Sequence, residues 1–182
     1  SGAVTRYTPK LPRTLVNGTC ALVFTLLFNQ AGVAIAADAE REKRLVAELE
    51  ASLFEGDLLQ ISTGNTTFAA VELSTNSNPA RGSILLLHGR GIHADWPDNI
   101  GPLRIALAQT GWHTLSLQMP VLEKSAKYFD YLAVLPEAFP RIEAGIKHLL
   151  TSSRRPIVLL AHSCGAHMAM AWLERTAGRP ID

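Results

Sequence analysis

Apolar positions recur along the chain in several spacings, and the changes of spacing divide it into segments. Thr14 to Ala37 carries no charge and is densest in apolar residues from Ala21 to Phe28. From Ala39 to Phe54 the spacing becomes helical. Leu45, Val46, Leu49 and Leu53 share one face, Arg41, Lys43 and Glu48 are among the solvated positions, and Asp38 is the cap. This segment reads as packing rather than chemistry. Asp57–Ser62 and Thr67–Leu73 read as strands joined through Gly64-Asn65 in a hairpin. Ser74 to Gly82 is a polar loop.

Beyond it strands and helices alternate. Ser83–His88 is a continuous apolar run, as expected of a strand buried on both faces. Asp98 is the expected cap of a helix through Thr110, with Pro102 in its first turn and Gly111 ending it. Trp112–Leu117 is the next strand. After an irregular loop, Phe139, Ile142, Ile146, Leu149 and Leu150 mark another helix by their spacing of three and four. Pro156–Leu160 is a further strand, and Ala166–Glu174 a helix soon after it. The alternation predicts an α/β chain, a parallel sheet with crossover helices.

A chain of 182 residues suggests one domain, and 47% hydrophobic against 18% charged residues is enough to bury a core. A formal net charge of +1 supplies no field for nucleic acid. The two cysteines, Cys20 and Cys164, give neither a disulfide framework nor zinc-type spacing.

Arg6, Lys10 and Arg13, the apolar stretch, and Ala34-Ile35-Ala36 form the basic region, hydrophobic region and Ala-x-Ala site of a secretory signal peptide. Cleavage is expected after Ala36, making residues 1–36 the signal and 37–182 the domain, in the periplasm or secreted. The competing reading is an uncleaved inner-membrane anchor, because the uncharged stretch is just long enough to span. Asn17, Gly18, Asn29, Gln30 and Gly32 dilute its ends and favour cleavage. Cys20 precedes the apolar core and lacks the small neighbours of a lipoprotein site. With the signal removed, Cys164 alone remains and no intrachain disulfide can form.

Ala161-His162-Ser163-Cys164-Gly165 lies between the last strand and the last helix. A serine between small residues at that junction has the form of a nucleophile elbow, where the crowded backbone demands small flanks. Ala161 stands where glycine is commoner. The plain alternative makes Ser163 an ordinary N-cap. The Cys164 N–H, at a helix N-terminus, is placed to help bind an oxyanion. His88-Gly89-Arg90-Gly91, after the earlier buried strand, has the His-Gly-x-Gly form of the loop that supplies the second oxyanion donor, here the Arg90 N–H.

In this order the elements resemble the first half of an α/β-hydrolase. More narrowly, Ser83 to Leu173 resembles a poorly characterised group of exported bacterial α/β-hydrolase-like proteins. The resemblance implies an α/β-hydrolase-type sheet with the serine strand beside the His88 strand. It names no substrate; the reading adopted is a serine hydrolase acting through an acyl-enzyme on a small ester, thioester or amide. Ser163 is then the nucleophile, the Arg90 and Cys164 N–H groups form the oxyanion hole, and no cofactor is called for.

The chain departs from the family after the serine. The triad order is serine, acid, histidine, yet only residues 164–182 follow, and the one histidine among them is His167, a helical turn past Ser163. His167 reads as packing or polar lining; His162 points away from its neighbour; His113 and His148 read as a strand start and a helix face. His93 lies close to the oxyanion loop, where it can line the substrate side. Asp182 has no expected place. The expectation is therefore an incomplete domain, truncated after the serine helix and inactive by itself. Its base and acid would come from further sequence, and Ile157–Leu160 would be left as an exposed edge. The alternative function is a non-catalytic periplasmic binding or scaffold role on a degenerate form of the fold.

Two other motifs are weaker. Gly89-Arg90-Gly91-Ile92-His93-Ala94 fits a dinucleotide fingerprint, but Trp96-Pro97-Asp98 delays the helix that would hold a pyrophosphate. His88, His93 and Asp95 match no familiar metal spacing.

Overall fold

The hairpin forms at the expected residues. β1 (Asp57–Ser62) and β2 (Thr67–Leu73) pair antiparallel from Asp57 opposite Glu72 to Ser62 opposite Thr67. Gly64 takes φ 100°, the left-handed conformation glycine adopts without steric cost. The computed structural model describes residues 36–152, 154–176, 178 and 181–182. The basic segment, the apolar run with Cys20, and Ala34-Ile35 lie outside the described residues.

β2 runs antiparallel to β4 (Trp112–Leu117), which runs parallel to β3 (Gly82–Leu87), which runs parallel to β5 (Ile157–Ala161). The five-stranded order is β1-β2-β4-β3-β5, so the strand leading to Ser163 lies directly beside the strand leading to His88. β3 is buried at every position, as its continuous apolar sequence predicts.

The crossover helices cover opposite faces. Side chains alternate along a strand. Leu85 and Leu87 accordingly join Leu115, Leu117, Ile142, Ile146, Leu149, Met168 and Trp172 in the main core, under α3 (Leu135–Thr151) and α4 (Cys164–Arg175). Ile84 and Leu86 face the other way, onto Ile100 and Leu107 of α2 (Ile100–Gln109). α1 (Ala39–Ser52) adds Leu49 against Val71 and Ala94. Among the described residues no helix is long and apolar enough to cross a membrane.

Four details differ from expectation. α2 is capped by Asn99 rather than Asp98: Asn99 Oδ1 accepts the Ile100 N–H at 2.6 Å. The Trp96 carbonyl takes the Asn99 and Gly101 N–H groups, and that turn carries the chain one residue further before the helix opens. α1 ends at Ser52, leaving Phe54 91% exposed. The loop after β4 contains a 3-10 helix, Tyr128–Val134, which buries Tyr131 and Val134 and leads into α3. Asp182 finds a place at the outer edge of β5, where its N–H donates to the Ile157 carbonyl and its Oδ2 accepts the Ile157 N–H, each at 2.9 Å.

Candidate active site

Ser163 sits between β5 and α4 with φ 53° and ψ −120°, the one non-glycine residue with positive φ among the described residues. Such a conformation costs on the order of 1–3 kcal/mol and persists only where the surroundings enforce it. They do so by close approach of two backbones. The His162 N–H donates to the Leu87 carbonyl at 3.0 Å, tying the turn to the end of β3. A Cβ on Gly165 would lie 2.5 Å from the His88 carbonyl oxygen and 2.7 Å from that of Leu87. No side chain fits there, so the first turn of α4 lies directly on β3. Ser163 occupies the N-cap position of α4 but its side chain accepts no helix N–H, and the residue is exposed.

The His88-Gly89-Arg90-Gly91 loop reaches this turn. A Cβ on Gly89 would stand 2.9 Å from His162 Nδ1 and 3.4 Å from Ser163 Cβ. The His162 ring therefore lies over Gly89, on the loop that the oxyanion reading singled out. His88 itself is 1% exposed. Its Nε2 accepts the Met119 N–H at 2.9 Å and lies 3.1 Å from Gln118 Nε2, so the remaining proton is on Nδ1, which donates to the Gly89 carbonyl at 2.7 Å. Burial lowers the His88 pKa to about 4; His93 and Arg141 press the same way and the Gly89 bond opposes them. The ring is neutral near neutral pH.

α1 supplies a part that sequence reasoning assigned to solvent. Arg41 is half-buried, and its guanidinium donates to the Gly91 carbonyl at 2.9 Å and also to the Leu122 carbonyl. Arg90 Nη1 donates to the Ala126 carbonyl at 2.8 Å. The loop is thus held from three sides, while the Arg90 and Cys164 backbone N–H groups make no hydrogen bond among the described residues. The Cys164 side chain is buried in the main core. Burial raises its thiol pKa, against the opposing influence of the Arg90 guanidinium and the Ser163 hydroxyl. It is an inert thiol rather than a nucleophile.

The other histidines are engaged elsewhere. His167 stacks on Tyr128, with ring centroids 5.6 Å apart and planes at 16°, and Tyr128 meets Phe129 edge-on at 5.4 Å. His93 is 1% exposed, stands edge-on to Trp96, and its Nδ1 accepts the Asp95 N–H at 3.2 Å. Burial lowers its pKa. His113 Nδ1 accepts the Thr75 N–H at 3.3 Å, and His148 lies against Glu72. No histidine hydrogen-bonds the Ser163 hydroxyl among the described residues. The Asp95 carboxylate is bound to Arg104 Nε at 2.6 Å. α2 opens at Ile100, well after Gly91, so its N-terminus is not at the glycines.

Esterase Pf2001 of Pyrococcus furiosus is similar in structure, with a TM-score of 0.53 at 18% identity over 73% of this chain and 51% of its own. A dienelactone hydrolase from Anabaena variabilis gives 0.52 at 17% identity, covering 66% and 58%. Est1E from Butyrivibrio proteoclasticus gives 0.50 at 19% identity, covering 66% and 47%. These likenesses show the α/β-hydrolase fold, and the chain spans about half the length of the Pyrococcus enzyme. No curated protein matches the sequence. The model of a family described as proteins of unknown function, DUF3530, matches residues 27–133, more than half of the 182, and the chain belongs to that family.

Proposed function

We propose that this chain carries the nucleophile half of a serine hydrolase acting on a small ester, thioester or amide. The observation that carries the reading is the backbone of Ser163: φ 53° and ψ −120° at a strand-to-helix turn whose hydroxyl is open to solvent. A strained serine at such a turn is the form of a nucleophile elbow. Ser163 Oγ attacks the carbonyl carbon, and its proton passes to a general base. The Arg90 and Cys164 N–H groups receive the developing oxyanion, at about 3–4 kcal/mol per donor in enzymes where one has been removed. Collapse expels the alcohol, thiol or amine and leaves an acyl-enzyme, which water resolves.

The chain has six histidines, and among the described residues none hydrogen-bonds the Ser163 hydroxyl. The base and its acidic partner then belong to sequence outside these 182 residues.

A fluorophosphonate probe tests this on the chain with and without a C-terminal continuation. Labelling that requires the continuation and disappears in Ser163→Ala supports the reading. A folded longer form that stays unlabelled and hydrolyses no nitrophenyl ester overturns it in favour of a binding or scaffold role.

A further inference from the structure

Among the described residues, Ala37 is the first to pack against the main core. Ala36 is exposed, whereas Ala37 is half-buried against the main core. The Ala37 N–H donates to Glu137 Oε1 at 3.0 Å, across 100 residues of sequence. The next residue is fixed twice: the Asp38 N–H donates to the Val121 carbonyl at 2.7 Å, and Asp38 Oδ1 accepts the Arg41 N–H at 2.9 Å to cap α1. Glu137 lies in the first turn of α3 and makes no salt bridge among the described residues. Glu42 and Arg141, in the same cleft of about 520 Å³, are occupied with each other at 2.6 Å. Glu137 is thus a half-buried carboxylate whose partner here is one neutral amide, and that amide belongs to the residue following Ala34-Ile35-Ala36.

We propose that peptidase cleavage between Ala36 and Ala37 creates the mature N-terminus, and that Glu137 is the built receptor for the new α-ammonium group. Water adds to the Ala36 carbonyl in the peptidase and the C–N bond to Ala37 breaks. Ala36 leaves as a carboxylate with the leader, and the Ala37 nitrogen takes up protons to become an ammonium. The neutral hydrogen bond to Glu137 becomes an ion pair across the joint between α1 and α3. Arg41 reaches the His88-Gly89-Arg90-Gly91 loop from the first turn of α1, so the same ion pair secures the base of that strut. The charged groups facing the new terminus are Glu137, Glu42, Lys43 and Arg141, all lining the one cleft.

The test begins with the full chain exported from a bacterial host, its product identified by N-terminal sequencing and intact mass. A start at Ala37 is expected; a start at any other residue, or retention of the leader, overturns the proposal whatever a variant does. The second measurement follows acylation of the α-amino group by a succinimidyl ester against pH in the exported protein and in Glu137→Gln. The isosteric amide keeps the hydrogen-bond acceptor and removes the charge. Pairing keeps the amine protonated, so the exported protein should react about tenfold more slowly than Glu137→Gln near pH 7.5, converging at high pH. Identical profiles overturn the role of Glu137 even if the start is Ala37.

Discussion

His88 Nδ1 donates to the carbonyl oxygen of Gly89, its own neighbour in sequence, at 2.7 Å. That carbonyl shares a trans peptide plane with the Arg90 N–H, and the two groups of such a plane point in opposite directions. By holding the carbonyl, the ring fixes the direction of the N–H assigned to the oxyanion. The Met119 N–H on the far side of the ring fixes which nitrogen carries the proton. In the proposed reaction His88 is a positioning residue, acting only through Gly89 and Arg90.

The same ring predicts a pH dependence of stability. The folded protein holds His88 neutral to about pH 4, whereas an unfolded chain protonates it near 6.5. Between those values the unfolded state binds more protons, so stability falls as pH falls. From pH 7 to pH 4 the loss from this residue is about 3 kcal/mol. His93 and His113, both lowered by burial, act with the same sign. Urea midpoints measured from pH 7.5 to 4 should decline, and the decline should be shallower in His88→Gln. An equal slope in the variant would show that His88 titrates normally in the folded state.

Gly165→Ala gives a second prediction, in which the usual sign reverses. In an exposed helix this change stabilises by about 1 kcal/mol. Here the new Cβ meets backbone oxygens of Leu87 and His88 rather than a flexible side chain, so α4 must move off β3. A loss of about 2 kcal/mol is expected, with labelling of Ser163 lost as well because the turn shifts. Thermal denaturation checks the first part and the fluorophosphonate probe the second. A more stable Gly165→Ala protein would mean that the helix is not seated on β3.

Most of the frame was legible in the sequence because it rests on local patterns. The continuous apolar run of β3 places it inside the sheet, between β4 and β5, and the small residues around Ser163 anticipate close backbone contact. What escaped depends on partners distant in sequence. Arg41 falls on a helix face that looks solvated, and only the fold brings Gly91 and Leu122 to it. Asp98 and Asn99 are both competent caps, and the turn built on the Trp96 carbonyl selects the second. The 3-10 segment at Tyr128–Val134 is too short for periodicity to distinguish from a loop.

Ser163→Gly separates strain from chemistry. Glycine accepts φ 53° freely, so the substitution releases about 1–3 kcal/mol of strain. Against that stands about 0.5–1 kcal/mol from the greater freedom of glycine in the unfolded chain. Strain is the larger quantity. Ser163→Gly should therefore be more stable than Ser163→Ala, which keeps the strained backbone, by about 1 kcal/mol, with both unlabelled by the probe. Equal stabilities in chemical denaturation would remove the argument from strain.

The last prediction concerns Arg104 and Asp95, on the opposite face of the sheet from α3. The Arg104 side chain is 0% exposed and its Nε donates to Asp95 Oδ1 at 2.6 Å, while Nη1 and Nη2 find no acceptor among the described residues. Asp95 retains a little solvent, at 11% exposure. Removing either charge leaves the other unpaired, but the two cases are unequal. Asp95→Asn strands a fully buried cation that cannot lose its proton, at about 3–5 kcal/mol. Arg104→Met strands a carboxylate that keeps some contact with water, so it should cost less. The double variant Asp95→Asn with Arg104→Met removes both charges and the two unpaired nitrogens, and should approach the parent or exceed it. The expected order of urea midpoints is double variant at or above parent, then Arg104→Met, then Asp95→Asn. A double variant no more stable than Asp95→Asn alone would show that the pair contributes more than it costs to bury.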